Sequence, residues 1–357
     1  MNGKNLATHA ILATIAAGTL VPFLWMVATS VKPAETLADY PPRWIPVVES
    51  SHAEVDGRTR AVRALRVKED GLVRTKVLAE YDDAGELLVK GRVIDLPEDA
   101  ITTEREVELR FRNYPEAWSA YPFVSFLRAY LNSLGIAIIV TLGQVVTCCL
   151  AAYAFARLNF AGRDLLFMGY LATMMIPGAV TMNATFVLLK NLPLALNWLC
   201  GTDWFSRELI IGGKVVGIDS YFALIVPRFF SAYGTFMLRQ FFLGIPRELE
   251  DAARMDGCGS LGILRHVILP LSKPALATLA IFTFMWTWGD FMWPLFVTNS
   301  AELYTLPVLL QSFQGQYGTQ MHLLMAASMT ALLPLIIVFL FGQRYFIEGI
   351  QLGGVKG

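Results

Sequence analysis

Two acids stand side by side at Glu250 and Asp251, two small residues follow at Ala252 and Ala253, and a further acid, Asp256, precedes Gly257. Carboxylates beside alanines at the start of a short helix suit docking better than proton transfer. The acids offer charge for pairing, and the small side chains let another surface approach the backbone closely. Elsewhere the residues that could do chemistry are dispersed. The four histidines, His9, His52, His266 and His322, show no metal-ligand spacing. Cys148 and Cys149 are neighbours in an apolar run, and Cys200 and Cys258 lie far from them and from each other, so no disulfide framework or CxxC site is readable. HExxH, GxSxG and clustered acids are absent from the apolar runs and their borders. The chain is therefore read as not an enzyme, with no catalytic residues, no metal and no cofactor of its own.

What positions these acids is the stretch ELEDAARMDGCGSLGILRHVILPLSKP, Glu248 to Pro274, set between two apolar runs. Pro246 suits a first helical position, and Glu248, Glu250 and Asp251 place negative charge where a helix start is partially positive. Asp256-Gly257 offers a stop, since glycine takes the left-handed conformation at little steric cost. Ser260 can cap a second helix, LGILRHVIL, which Pro270 ends or kinks. From this physics alone, an amphipathic loop lying on a membrane surface and a docking helix for another protein both stand.

The chain around it is built for lipid: 55% of its 357 residues are hydrophobic and only 16% are charged. A bilayer core needs roughly 20 apolar residues in helix. Six runs qualify, at about 10–30, 130–154, 165–189, 220–242, 276–297 and 323–341. The first is read as an uncleaved span, because its apolar part is long and no A-x-A site follows. Basic residues of short loops are retained on the cytoplasmic side. Placing both termini there puts Lys4, Arg157, Arg163, Arg239, Arg247, Arg254, Arg265, Lys273, Arg344 and Lys356 inside and makes the acid-bearing loop cytoplasmic.

Net charge is zero, which gives no basis for nucleic-acid binding, yet about 27 of the 58 charged side chains fall between Pro46 and Asn113. That segment is expected to be a small outer β domain at 46–113, separating 1–45 from the core at 114–357. VRTKVLAEY and ELLVKGRVI flank DDAG as a hairpin, and EVELRFR alternates with Val107, Leu109 and Phe111 on one face. A second outer insert runs from about Trp198 to Asp219. Its IIGGKVVG lacks the phosphate-loop spacing.

DAARMDG, nine residues and VILP resemble the EAA loop of ABC-importer permeases, in which E-A-A, three residues, Gly, nine residues and I-x-L-P form the coupling helix. Asp251 stands where glutamate is usual and Val267 where isoleucine is. YLNSLGIAIIVTLGQ, AAYAFARLNFAGRD, MMIPGAVTMN, FMLRQFFLGIPREL, LPLSKPALATLAIFTFMWTWGDFMWPLFV, LYTLPVLLQSFQGQYGT and QRYFIEGIQLGGVKG extend the likeness to carbohydrate-uptake permeases of the maltose and multiple-sugar type, over about Ala10 to Trp44 and Tyr114 to Gly357. The resemblance implies an all-α polytopic inner-membrane protein of six transmembrane helices. It implies a cytoplasmic coupling loop at 246–274, with Glu250, Asp251, Ala252, Ala253, Asp256, Gly257, Leu269 and Pro270 coupling to an ATPase. The partners implied are a second, unlike permease subunit, a cytoplasmic ABC ATPase dimer that holds ATP and magnesium, an extracytoplasmic solute-binding protein, and membrane lipid. The C-terminal GGVKG is expected to reach the ATPase as well.

Polar groups within spans are costly in lipid and face the bundle interior, which nominates Asn132, Gln144, Asn183, Trp288 and Asp290 for a solute path. Trp286, Trp288 and Trp293 suit either stacking on sugar faces or bundle packing. Pro177-Gly178 marks a break in the third span, tolerable where it is buried or lines a cavity. The solute is read as a sugar, with glycerol phosphate as the alternative and an ion-driven secondary transporter as the nearest rival class. A membrane-tethered sensor would account for the β insert but leaves five spans without a role.

Overall fold

A computed structural model of the protein describes residues 3–38, 42–55, 58–67, 72–77, 80–81, 87–89, 93–97, 100–121, 124–209, 212–314 and 320–354. The first helix, α1 (Gly3–Ser30), contains a long apolar stretch, Thr8–Ser30. Seven strands follow: β1 (Val47–Val55), β2 (Arg58–Val67), β3 (Leu72–Val77), β4 (Glu80–Tyr81), β5 (Leu87–Val89), β6 (Val93–Pro97) and β7 (Ile101–Val107). The remainder is helical: α2 (Asn113–Ser119), α3 (Phe126–Arg157), α4 (Arg163–Ala172), α5 (Gly178–Cys200), α6 (Tyr221–Ile225), α7 (Ala232–Leu243), α8 (Glu248–Met255), α9 (Ser260–Ile263), α10 (Leu269–Leu271), α11 (Lys273–Trp288), α12 (Met292–Val297), α13 (Leu306–Gln311) and α14 (Met321–Gly354). Among the described residues, five helical segments are long and apolar enough to cross a membrane, and a sixth arises if the bent pair Ser260–Leu271 and Lys273–Trp288 counts as one. Two units divide the chain, Met1–Ala117 with Thr319–Met329 and Trp118–Gly318 with Thr330–Gly357.

In the first unit, β1, β2, β3, β6 and β7 form an antiparallel sheet in the order β6-β3-β2-β1-β7, with β4 and β5 as a separate pair. The expected hairpin is present as β3 and β4 leading to β5 and β6; the turn residues Asp82 to Gly85 lie outside the described residues. The last strand differs from its expectation. It ends at Val107, and Val107, Leu109 and Phe111 are 61, 52 and 65% exposed rather than forming a buried face. Its pairing with β1 closes at Val47↔Val107, where the next residue of the partner is Pro46, which has no N–H to continue the ladder. The sheet leaves and rejoins the helical chain at one point: buried Asn113 donates to Ser30 O and Lys32 O, both at 2.9 Å. Adjacent ends are what allow a segment to be inserted without pulling its neighbours apart.

In the second unit, α3 packs along α7 and α11. Cys148, Cys149, Ala152 and Ala156 of α3 meet Leu238 and Phe242 of α7, Leu279 of α11, and Ile263 and Ile268 of the α8–α10 segment. Gly234 is required here, since a Cβ would come within 2.9 Å of Cys148 Sγ. The third and fifth spans depart from the ranges read in the sequence. Pro177 lacks an N–H and drives Ile176 into extended backbone, so the third span splits into α4, a 3₁₀ turn at Thr173–Met175, and α5, which continues to Cys200. The second insert therefore starts at Gly201, whose φ of 64° caps α5, and not at Trp198. The fifth span starts at Lys273, stops at Trp288 and resumes at Met292.

Candidate functional site

The α8 loop begins as its acids require. Arg247 occupies the cap without a side-chain bond, and Glu248, Glu250 and Asp251 supply the first-turn charge. Pro246 lies just before the helix instead of inside it. At the other end, Cys258 N donates to Ala253 O at 2.9 Å and Gly257 N to Arg254 O at 3.0 Å, with Gly257 at φ 84°. These two bonds form a Schellman stop, which consumes carbonyls that the last turn would otherwise leave unpaired. Gly259, not Ser260, caps the following helix, without a side-chain cap bond.

Pro270 stands one residue before that helix ends. The chain runs through a π-helical turn at Leu264–Ile268, with Leu269 N bonded to Leu264 O, and bends by 80° only between Leu271 and Lys273. A proline removes one i→i−4 bond and its ring crowds the carbonyl there; a wider turn just ahead of it relieves both. Leu269 is half-buried and Pro270 exposed.

The eight α8-loop residues singled out by sequence do not all face the same way. Asp251, Ala252, Asp256 and Gly257 are exposed and Ala253 is half-buried. Asp251 pairs with Arg254 at 2.8 Å. Glu250 instead turns inward: its Oε1 lies 2.8 Å from Arg157 Nε, with both side chains 3% exposed, in an ionic contact rather than an aligned hydrogen bond. Arg157, the last residue of α3, also donates through Nη2 to Phe242 O at 2.5 Å and Ile245 O at 2.6 Å. One guanidinium thus joins the ends of α3 and α7 to α8. The sequence flagged Arg157 only as a basic loop residue. Leu249, Met255 and Leu261 are exposed as well. The terminal GGVKG lies partly in α14, and its last three residues are outside the described ones.

Of the five solute-path candidates, two are committed to packing. Asn132 donates to Glu302 O and Tyr304 O at 2.8 and 3.0 Å and accepts from Tyr221 OH at 2.9 Å, which uses both ends of its amide. Trp288 is 3% exposed, donates to Ala331 O at 3.0 Å and stacks with Phe284. Asn183 is exposed on α5. Gln144 and Asp290 do border cavities. Gln144 lines one of about 900 Å³ together with Tyr233 and Trp286. Asp290 lines another of about 390 Å³ and pairs with Arg228, a residue the sequence reading passed over although an ionisable side chain inside a span is itself a signal. The indole of Trp293 donates to Ala223 O at 2.9 Å.

At the end of the glycine-rich insert, Asp219 accepts from the amides of Asn299 and Ser300 at 2.8 and 2.9 Å and from the Ser300 hydroxyl at 2.6 Å. Burial pushes its carboxyl up, but these bonds and Lys214 outweigh that and hold it below the ordinary carboxylate value.

Residues 144–351 match the family described as binding-protein-dependent transport system inner membrane component. The arabinooligosaccharides transport system permease protein AraQ of Bacillus subtilis (strain 168) is 37% identical over 232 residues, which are 65% of this chain and 74% of that protein. The sn-glycerol-3-phosphate transport system permease protein UgpE of Yersinia pestis bv. Antiqua (strain Antiqua) is 34% identical over 222 residues, 62% of this chain and 71% of its own. In a crystal structure of a bacterial ABC transporter involved in the import of the acidic polysaccharide alginate, one chain shares the fold at a TM-score of 0.64 and 18% identity, with 96% of each chain covered. Matched over more than half of its length, and carrying the long apolar helices of a multi-pass membrane protein, the chain belongs to the binding-protein-dependent transport system inner membrane components, the permease subunits of ABC importers.

Proposed function

We propose that this permease carries a sugar, and that α8 is its coupling helix, seated in the cleft of a cytoplasmic ATPase. One observation carries the coupling reading: α8 is anchored on its inner side by Glu250 and ends in a glycine stop, while Asp251, Ala252 and Met255 face outward unburied. A lever needs one face fixed to the moving helices and one face free for the motor. Asp251 and Asp256 supply charge to that free face, and Leu249 and Met255 supply apolar knobs. Both termini then lie in the cytoplasm, and the five-stranded sheet and the 201–219 loop lie outside. A second, unlike permease subunit completes the path, a binding protein delivers solute to it, and closure of the ATP-loaded subunits drives the switch between inward and outward states.

Gly257→Val and Asp251→Lys test the coupling. Each is expected to abolish uptake and solute-stimulated ATP hydrolysis by the assembled transporter while leaving membrane insertion intact. Full solute-stimulated hydrolysis in both variants would overturn the reading.

The sugar reading draws on the likeness to AraQ, an arabinooligosaccharide permease by name. Glycerol phosphate is the second reading, favoured by the likeness to UgpE. Stimulation of ATP hydrolysis by a panel of sugars, set against glycerol 3-phosphate, decides between them.

A further inference from the structure

Three spans are interrupted, and the interruptions meet at one place. The bonds from Arg157 to Phe242 O and Ile245 O bring together the ends of α3 and α7, and a short loop leads from α3 into α4. Measured from that side, α4 starts at Arg163 and the chain breaks at Pro177. The fourth span breaks between Arg228 and Ser231, ahead of α7, which ends at Leu243; α11 runs its 16 residues from Lys273 to Trp288. At 1.5 Å per residue α4, α7 and α11 are about 15, 18 and 24 Å long, each short of the roughly 30 Å of a bilayer core. A break in a lipid-embedded helix leaves backbone groups without partners, and it is tolerated where protein or a cavity receives them.

All three breaks open on the same cavity of about 390 Å³. Gly178, Thr181 and Thr185 reach it from α5, Arg228 from the fourth span, and Asp290 and Trp293 from the fifth. Arg228 also forms part of the wall of the larger cavity of about 900 Å³. The Arg228 and Asp290 side chains are 20 and 16% exposed, so the pair faces open space on one side.

The lining specifies a chemistry. Arg228 and Asp290 cancel each other's charge. Thr181 Oγ1 donates to Gly178 O at 3.0 Å and Thr185 Oγ1 to Thr181 O at 2.9 Å, so both hydroxyls present lone pairs, not protons, to the cavity. Guanidinium donors, carboxylate and hydroxyl acceptors, and the apolar face of Trp293 thus surround a space with no net charge. An anion entering it meets a carboxylate and two sets of lone pairs. A sugar hydroxyl both donates and accepts, and the C–H face of a sugar ring meets an indole well.

We infer that this node is a solute site within the translocation path and that it takes a neutral polyhydroxylated solute, not an anionic one. The inference rests on the permease reading proposed above. It identifies Arg228, Thr181 and Thr185 as site residues beside Asp290.

Thiol labelling tests it in membrane vesicles carrying the assembled transporter. Thr181→Cys is reacted with a small hydrophilic maleimide, and modification at that residue is read by peptide mass spectrometry. Maltotriose, arabinotriose and raffinose are the neutral probes, and glycerol 3-phosphate is the anionic one. At least one neutral probe is expected to slow labelling threefold or more, while glycerol 3-phosphate leaves it unchanged. Adding Asp290→Asn, which unbalances Arg228, is expected to remove the sugar protection and to let glycerol 3-phosphate protect. Labelling that no neutral probe slows, or that glycerol 3-phosphate slows with Asp290 intact, overturns the inference. ATP hydrolysis in the same vesicles separates this failure from failure of the permease reading. If Gly257→Val retains solute-stimulated hydrolysis, the coupling reading falls whatever Thr181→Cys shows; if Gly257→Val abolishes it and the sugars do not protect, the site alone is wrong.

Discussion

Two arginine–carboxylate pairs, Arg157–Glu250 and Arg228–Asp290, have the same chemistry and opposite surroundings. In the first, both side chains are 3% exposed, and the guanidinium also serves the carbonyls of Phe242 and Ile245. In the second, the side chains are 20 and 16% exposed and border two cavities. A buried charge pair is stable only when its remaining donors and lone pairs are also met. Sealed in protein, the pair is a fixed joint; open to a cavity, it is a place for a ligand. The difference lies in what surrounds the pair, which residue type alone does not reveal.

The joint offers the largest break. Arg157→Met leaves the Glu250 carboxylate buried and two carbonyls short of a donor, at a cost of about 3–5 kcal/mol. Thermal unfolding of the purified assembly in detergent is expected to shift markedly downward. Replacing both partners, Arg157→Met with Glu250→Leu, should recover the part of that loss due to the unpaired carboxylate, while Phe242 O and Ile245 O still lack their donor. A double variant as unstable as the single one would show that the pair is not what joins α3, α7 and α8. Asp290→Asn is the matching break at the other pair. Solvent in the cavities remains available to Arg228, so the cost is expected to be about 1–3 kcal/mol, with uptake reduced far more than stability. Equal destabilisation by Arg157→Met and Asp290→Asn in the same unfolding assay would erase the distinction between joint and site.

How much of this the sequence discloses follows from the range of the interactions. The start and stop of α8 are local: acids in the first turn and a glycine at φ 84° act on their own neighbours, so both are readable. The spans and the β3–β6 hairpin are also readable, because apolar length and alternation are local patterns. Arg157 is not, since the partners that make it a joint, Phe242, Ile245 and Glu250, are distant along the chain. Asn132 and Trp288 show the same limit from the other side. A polar group in a span must be satisfied, but sequence cannot say whether a carbonyl such as Tyr304 O or Ala331 O does so or a solute does. Pro270 signals a helix end, and the helix does end one residue later, at Leu271, where the chain bends by 80°.

Gly257 sharpens the comparison from the outer side of α8, where no ion pair is sealed. Its Cβ position is open space, so substitution there acts through backbone strain alone. Gly257→Val is expected to cost roughly 1–2 kcal/mol for a left-handed β-branched residue, and Gly257→Asn clearly less. Solute-stimulated ATP hydrolysis should follow the same order, wild type above Asn above Val. Loss in Asn equal to that in Val would mean that the glycine is needed for close approach of a partner, not for its conformation.

Asp219 is the smallest test, and it supplies the missing contrast: a carboxylate hydrogen-bonded by two backbone amides and a hydroxyl, with Lys214 nearby as a cation. Because its folded pKa lies below the unfolded value of 3.8, its stabilisation is fully present above that pH and is lost as pH falls through the lower folded value. Between neutrality and pH 5, therefore, the latch should be insensitive to pH, and weakening should begin only below about 4. Asp219→Ala removes the acceptor for two amides and a hydroxyl and puts a residue less suited to φ 58° in its place, for a loss of about 1–2 kcal/mol. Asp219→Asn keeps the carbonyl acceptor and tolerates the left-handed backbone, so it should lose less. Hydrogen exchange of the Asn299 and Ser300 amides reads the latch directly. Protection lost in Asp219→Ala and largely kept in Asp219→Asn would establish that the two amides and the hydroxyl hold this carboxylate.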